Sequence, residues 1–164
     1  LTDINRLADT QPGFTCGNSG STLTVDDHRM TAGPIAQGCA VPTAKTSYLI
    51  TDTRAYQWTH VNNVVVGDLV RLDFIQPNGS VYFTTNVTLN FNGSGCFWGW
   101  IDIAGANAAG LPGNWQARAY YKDALVASDN FTISRGAVAG AQDLASPTVS
   151  GGASQVLKEK TPKR

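Results

Sequence analysis

Residues able to carry out chemistry are few in this chain, and their spacing matches no familiar reaction. Nucleophilic catalysis needs a serine or cysteine beside a base that a third group orients. The chain has two histidines, His28 and His60, and no G-x-S-x-G motif accompanies them. We interpret His60 as a histidine packed in a strand, and His28, which follows Asp26 and Asp27, as part of a surface turn. The sequence therefore predicts no catalytic residue.

Residues suited to carboxylate catalysis or to metal binding are equally few. Glycoside hydrolysis usually requires two carboxylates across a cleft, and Asp73 and Asp102 are the pair that the strands offer. Both fall on predicted strand faces opposite the core, as isolated solvated side chains. The cysteines lack the C-x-x-C spacing of a zinc site, while a calcium site stays open at Asp26-Asp27 or at Asp52, where oxygen ligands are present. We predict no enzymatic activity, no cofactor and no resident metal.

Three cysteines, Cys16, Cys39 and Cys96, are typical of an exported protein with one disulfide and one unpaired thiol. Cys16 with Cys39 would close an N-terminal loop, whereas either of them with Cys96 would join that segment to the sheet. Three buried reduced thiols are the remaining alternative. The chain begins at Leu1 rather than at a methionine, which we interpret as removal of a leader. These features predict a secreted or cell-surface protein.

Four Asn-x-Ser/Thr sequons are candidate sites of glycosylation. They begin at Asn78, Asn86, Asn92 and Asn130. Asn86 is the best placed, because it lies on the polar face of a predicted strand, where a bulky glycan would point into solvent. Whether any sequon is used depends on the host.

The tryptophans form a second kind of candidate site. Trp98 and Trp100 fall on one face of a predicted strand, and Trp58 is expected nearby. An exposed row of such rings is a platform for stacking on sugars, because each ring presents a flat apolar face with polar edges beside it. The alternative is that both rings lie in the core or beneath the N-terminal residues.

Composition argues against two classes of partner. Charged residues make up 15% of the chain, and the formal net charge is zero. A nucleic-acid-binding protein normally carries a basic face, and here basic residues cluster only in the last seven positions. No apolar run reaches the roughly 18 to 20 residues that span a bilayer. We therefore predict no nucleic-acid partner and no membrane span.

The elements that position these residues are predicted to be strands, because the chain is poor in helix formers and its single glutamate is Glu159. Alternation is clearest over 81–91, which follows a predicted Asn78-Gly79 turn. The apolar face of that segment comprises Val81, Phe83, Val87, Leu89 and Phe91. Further strands are predicted at 54–61, 69–75, 96–103, 114–121 and 125–133, with a short one at 22–25.

We divide the chain into three parts. Residues 1–45 are interpreted as an N-terminal arm that packs on the body, with 26–42 as loop. Residues 46–133 form the body, where about seven short strands separated by turns predict a two-sheet, all-β sandwich. Residues 134–164 form an extended Ala/Gly/Ser-rich C-terminal tail, which contains too little apolar bulk to fold alone.

One pattern resembles a known family. The residues G-x-W-x-x-x-x-Y…D-x-L-V-x-x-x-x-F-x-I, from Gly113 to Ile133, resemble the last hairpin of immunoglobulin-like and fibronectin type III-like domains of exported bacterial proteins. The segments VVVGDLVRLDFIQPNGSVY and CFWGWIDIAG are similar to the same group, so the resemblance covers about residues 54–133. It implies an immunoglobulin-like sandwich in an extracellular setting and supplies no function.

The expected function is that of a non-enzymatic extracellular structural subunit that self-assembles, as a filament or surface layer, through its terminal extensions. Tail stretches such as PTVSG and SQVLK are suited to add as strands to an open sheet edge, on their own body or on a neighbour's. We expect a chain lacking 134–164 to keep its sandwich and to lose assembly. The alternative is a carbohydrate- or surface-binding module that uses exposed aromatic rings.

Overall fold

The computed structural model describes residues 22–136 and 149–157. In these two ranges the chain forms nine strands and two short 3-10 turns, Gln37–Cys39 and Asn107–Gly110. The strands are β1 Thr24–Thr31, β2 Ser47–Leu49, β3 Arg54–Val64, β4 Leu69–Ile75, β5 Val81–Thr88, β6 Gly93–Asp102, β7 Gly113–Tyr121, β8 Ala124–Ser134 and β9 Gly151–Leu157.

The strands form two sheets that pack face to face. Sheet A has four strands in the order β1-β3-β6-β9, and sheet B has five in the order β2-β8-β7-β4-β5. Neighbouring strands are antiparallel, except for the short parallel pair β2–β8. The predicted all-β, two-sheet sandwich is confirmed, with nine strands rather than about seven.

Alternating apolar residues explain the layered arrangement. In β4, Val70, Leu72 and Phe74 are buried, and in β7 the same alternation buries Trp115 and Ala117. Such rows fill the space between the sheets, and neighbouring strands reinforce them: Trp115 stacks on its cross-strand partner Phe131 of β8, with 5.8 Å between ring centroids. The predicted inward rows of these strands are therefore confirmed.

The first residues of β5 depart from their predicted alternation. Val81 is 52% exposed, whereas Tyr82, which was expected on the polar face, is buried. The pairing of β4 with β5 shifts between Phe74 and Ile75, and the Tyr82 ring packs edge-on against Trp115 at 5.1 Å. The shift moves the start of β5 out of the alternation that Val87 and Leu89 obey.

Two segments predicted to lie outside the sandwich belong to sheet A. Residues 26–31, predicted as loop in an N-terminal arm, complete β1, which pairs with β3; that interpretation is wrong. Residues 151–157, predicted as part of an extended tail, form β9, which pairs with β6 over seven positions. Both ends of the four-stranded sheet thus come from the predicted extensions.

Within the described residues, no helix is long and apolar enough to cross a membrane.

Candidate functional site

The outward face of sheet A collects most of the residues that could carry function. Cross-strand pairing places Tyr56 opposite Trp100, and Trp58 opposite Trp98. The next outward position pairs His60 with Cys96. A row of aromatic side chains therefore crosses β3 and β6, as the position of Trp98 and Trp100 on one strand face predicts.

Part of this aromatic row lies beneath residues 33–39, which we call the cover segment. A disulfide joins Cys39 of this segment to Cys96 of β6, with 5.8 Å between the Cα atoms. Trp58 is fully buried with these cysteines, and Ile35 packs on the same cluster. Of the alternatives left open by the sequence, the structure has the Cys39–Cys96 bond, while Cys16 lies outside the described residues.

Trp98 and Trp100 are half-buried rather than fully exposed. Trp98 packs against the disulfide cluster. The guanidinium carbon of Arg54 lies 4.9 Å from the centroid of the Trp100 ring, and the ring of Tyr56 lies 5.8 Å away. A Cβ on Gly152, the partner of Trp100 across the β6–β9 ladder, would lie 2.5 to 3.0 Å from three atoms of the indole. Trp100 therefore covers β9, in the way that an aromatic residue covers a cross-strand glycine.

His60 takes part in a polar cluster beside the cover segment. Its Nδ1 lies 2.6 Å from Oδ1 of Asp26, whose other carboxylate oxygen accepts a 2.9 Å hydrogen bond from the Asn62 amide. The Ser94 hydroxyl donates to Asn62 rather than to His60. The Asn62 hydrogen bond is the main cause that lowers the pKa of Asp26, with a further contribution from His60. The cluster orients an imidazole but joins its serine to an amide, so it does not have the geometry of a nucleophile and base.

His28 lies between the sheets rather than in a surface turn. Its Nδ1 is 2.9 and 3.0 Å from the two carboxylate oxygens of Asp129 on β8. Gln57 donates to the same carboxylate at 3.0 Å, and Thr59 donates to Gln57. Gln57 and Thr59 are fully buried. The network joins β1, the edge strand of sheet A, to β8 of sheet B on that side of the sandwich.

The candidate calcium residues are bound to other side chains of the chain. Asp27 forms an ion pair with Arg29 at 2.9 Å, and Asp52 forms one with Lys45 at 3.0 Å. Burial alone would raise the pKa of Asp52, but the Leu49 N–H and Lys45 outweigh it and lower the pKa. In the part of the chain that the structure describes, no group of three or more potential ligand side chains could hold a metal.

Asp73 and Asp102 lie on different sheets and do not face one cleft. Asp102 bonds Arg54 at 2.7 Å on sheet A. Asp73, on the outward face of sheet B, is buried and accepts hydrogen bonds from Thr84 at 2.5 Å and Arg71 at 3.2 Å. The expectation of an isolated, solvated Asp73 is therefore wrong, because its neighbours cover it.

The fit of β9 against β6 is the structural feature that the sequence predicts least well. A Cβ on Gly151 would collide with the carbonyl oxygen of Trp100 and lie 2.9 Å from the Phe83 ring. Gln155 donates to the Thr88 carbonyl at 2.9 Å and accepts from the Asn90 N–H at 3.0 Å. The Ser150 hydroxyl bonds Asp102. We call the surface along β6 between the Trp100 and Phe83 rings the β6 groove. Only a strand without side chains at 151 and 152 fits it, and the Gly-Gly pair was the signal available in the sequence.

The four sequon asparagines are all exposed. Asn78 accepts hydrogen bonds from Ser80 in the β4–β5 turn, and Asn92 accepts one from the Val66 N–H. Asn130 accepts one from Gln116 on the outward face of sheet B, where Asn86 also lies opposite Arg71. Their exposure leaves all four as candidate sites of glycosylation.

Comparisons with known proteins bear on the fold. No family model matches the chain, and no curated protein matches its sequence. An immunoglobulin-like protein from Pseudomonas aeruginosa is similar in structure, with a TM-score of 0.50 at 11% identity over 71% of this chain and 99% of that chain. An alkylpurine DNA glycosylase from Pseudomonas fluorescens, bound to DNA containing an abasic site analogue, gives a TM-score of 0.45 at 10% identity over 70% of this chain and 31% of that chain.

Sheet order and the first of these likenesses define the class of protein as an all-β, immunoglobulin-like sandwich. At 11% identity the likeness concerns the fold alone.

Proposed function

We propose that this protein is a non-enzymatic, exported structural subunit that self-assembles when β9 of one copy occupies the β6 groove of the next. The observation that carries the proposal is the manner in which β9 is held. It contacts β6 through a seven-position antiparallel ladder, which depends on main-chain groups and small residues. Such a strand can be supplied by any copy of the chain.

The groove favours this strand over others. Gly151 and Gly152 fit where a side chain would meet Trp100 or Phe83. The side-chain amide of Gln155 adds two hydrogen bonds, one to the Thr88 carbonyl and one from the Asn90 N–H, which we call the Gln155 clamp. The ladder supplies affinity while these close fits supply selectivity and register.

The connection to β9 is long enough for exchange between copies. Sixteen residues, 135–150, join the end of β8 to the start of β9. Fully extended, a chain of this length spans roughly 50 Å. That reach suffices for the same groove on an adjoining molecule. We propose that each copy donates its β9 to one neighbour and accepts β9 from another, so that the contact is heterologous and, without closure into a ring, generates an open filament.

The disulfide and the exposed sequons support an extracellular setting for this subunit. A bond between Cys39 and Cys96 persists in oxidising compartments and is rare in the cytosol. Four exposed sequons add surface positions that a glycosylating host would modify.

Mixed-copy cross-linking tests the exchange. Ser150 lies opposite Asp102, with the Asp102 N–H donating to the Ser150 carbonyl at 2.8 Å. Hydrogen-bonded partners in an antiparallel pair have Cα atoms about 5.5 Å apart, within the range that a disulfide spans. In a Cys16→Ser background, one copy carries Ser150→Cys and the other Asp102→Cys. We expect covalent dimers only after the two are mixed under oxidising conditions.

The control is a single chain with both substitutions, which should form the bond within itself on dilution. If that chain closes its bond while the mixed copies remain monomers over prolonged incubation, β9 stays in its own molecule and the assembly mechanism is wrong.

A second candidate function is glycan binding on the outward face of sheet A. Tyr56, Trp98 and Trp100 all lie on this face, and Arg54 stands beside them. Rings and a guanidinium on one surface suit a sugar's apolar and polar faces. Titration of monomeric protein with a panel of oligosaccharides, followed by tryptophan fluorescence, separates this function from assembly. A saturable change lost in Trp98→Ala would support it.

A further inference from the structure

The four edges of the sandwich differ in how well they are protected against pairing with another strand. β1 carries Asp26, Asp27, His28 and Arg29 and a register shift at Val25, while β2 has only three residues. Charges, irregular pairing and shortness are the usual devices that keep an edge from pairing. β5 and β9 have no charged residue and are longer than β2, and the register shift of β5 is confined to its first residues. Both strands lie on the same side of the molecule.

β5 is the better template of these two edges. Its sequence, VYFTTNVT, has no charge, no proline and no glycine, and consists almost wholly of β-branched and aromatic residues, which favour strands. β9 begins Gly-Gly-Ala-Ser, and glycine-rich strands specify register poorly. In addition, the inward side chains Phe83 and Thr85 of β5 are only half-buried, so this edge leaves part of the core uncovered.

The hydrogen bonds of Gln155 show which backbone groups of β5 point outward. The Thr88 carbonyl accepts from Gln155, whereas the backbone of the next residue, Leu89, bonds Asp68 and Gly67 on the β4 side. Backbone direction alternates along an antiparallel strand, so the N–H and C=O groups of Asn86 and Thr84 also face away from β4. Thr88 is already used by Gln155, and the register shift near Phe74 lies at the other end. The middle of the strand, 84–86, is therefore the available part of the edge.

We propose that two copies of this chain pair through β5, antiparallel about a two-fold axis at Thr85, and so join their five-stranded sheets into one. In this register Thr84 of each copy lies opposite Asn86 of the other, and the two residues exchange backbone hydrogen bonds. Thr85 faces its own counterpart as a non-hydrogen-bonded pair, which brings two β-branched side chains together. No like charges meet, because the strand has none and the outward Arg71 is paired with Asp73.

This dimer is independent of the exchange of β9, since it uses a different sheet and closes on itself rather than propagating. Together the two contacts would link pairs of filaments. Either contact can fail without the other.

Cysteine substitution tests the register. In a Cys16→Ser background, Thr85→Cys places two thiols across the two-fold axis at the roughly 4.5 Å Cα spacing of a non-hydrogen-bonded pair. The control Thr88→Cys is exposed, but its two copies would lie about 20 Å apart in this register. We expect Thr85→Cys to form covalent dimers at least about tenfold faster, because paired thiols have a high effective concentration. Equal rates would overturn the proposal.

Proline substitution tests the backbone contact. Asn86→Pro removes an N–H that faces outward, a change that edge strands tolerate, and Asn86→Thr keeps this N–H while removing the same sequon. By sedimentation, we expect the threonine variant to dimerise and the proline variant to lose the dimer, with its circular dichroism spectrum unchanged. A folded proline variant that still dimerises would contradict the proposal. The Ser150–Asp102 cross-link of mixed copies should persist in this variant, which separates failure of this dimer from failure of the exchange.

Discussion

The two edge strands of sheet A are held by different kinds of contact. Besides its backbone ladder with β3, β1 is joined to the rest of the molecule by side chains: His28 bonds Asp129 on the opposite sheet, and Asp26 bonds His60 and Asn62 on β3. The cover segment that follows β1 is then fixed covalently through Cys39–Cys96. β9 has a backbone ladder of the same length with β6, but beyond that ladder it relies on two closely fitting glycines and the amide of Gln155.

This difference indicates which end of the chain can change partners. Moving β1 to another copy would re-form the same side-chain bonds there, but the disulfide at Cys39 ties the chain to its own molecule only eight residues after β1 ends. Moving β9 exchanges one identical ladder for another, with little net cost beyond closing a different loop. β1 is therefore expected to stay in its own molecule, whereas β9 is suited to exchange between copies.

The largest effect should come from removing the disulfide. Cys39 and Cys96 are 57 positions apart, and closing a loop of that size stabilises the folded state by about 4 kcal/mol in the chain-entropy description. We expect Cys39→Ala with Cys96→Ala to lower the free energy of unfolding by about that amount in urea titrations, while assembly through β9 persists.

Reductant supplies the matched control for this comparison. It should destabilise the parent protein and leave the double variant unchanged. A variant as stable as the oxidised parent would mean that the cover segment is held by packing rather than by the bond.

A smaller loss is expected where β9 approaches β6 most closely. Gly151→Val would place a side chain against Phe83 and the Trp100 carbonyl, and overpacking of this kind costs about 1–3 kcal/mol. Thermal unfolding and light scattering should show lower stability and loss of assembly. Ser154→Val adds the same side chain at an exposed position of β9; if it weakened assembly as strongly, close fit would not explain the groove.

Loss of the Gln155 clamp should have a moderate effect on the β9 side. Gln155→Ala removes two hydrogen bonds to backbone groups of Thr88 and Asn90, with a net cost of about 1 kcal/mol. Asn90→Ala is the control, since only the backbone of Asn90 takes part. Urea titration should show a lower free energy of unfolding for Gln155→Ala than for Asn90→Ala. The reverse order would mean that the hydrogen bonds of Gln155 do not stabilise β9.

The smallest effect is expected from acid, which should weaken the attachment of β1 and leave that of β9 unchanged. The pKa of Asp26 is lowered from 3.8, so its contribution to stability is complete above that pH and is lost as the pH falls through the lower, folded-state value. Residues 151–157 contain no titratable side chain. Hydrogen exchange should show β1 opening more readily in acid than at neutral pH, after correction for intrinsic rates, while β9 is unaffected. Asp26→Asn should abolish the difference; an acid response confined to β9 would contradict it.

Local alternation was sufficient to predict the central strands, because rows such as Val70, Leu72 and Phe74 record their burial directly in the sequence. Only the start of β1 was predicted, as a short strand at 22–25, because its four adjacent polar residues resemble a loop. Their partners, including Asp129 and His60, lie 34 to 101 positions away and cannot be inferred from a local pattern.

The site depends on the same long-range information. Cysteine spacing left the disulfide pairing open, and only the approach of Cys39 to the outward face of β6 selects Cys96. The sequence indicated that tail strands would add to a sheet edge, but the edge is chosen by the shapes of Trp100 and Phe83 around two glycines. Such complementarity between distant segments exists only once the sheets have formed.

Size measurement on the full chain tests assembly most directly. Light scattering over a wide concentration range, with negative-stain microscopy of the same samples, should reveal growth beyond dimers into regular filaments, because β9 exchange is open-ended. Closed dimers alone would contradict the open-ended exchange, and they would support the β5 pairing if Asn86→Pro abolished them. The mass of a single chain at every concentration would contradict the account as a whole.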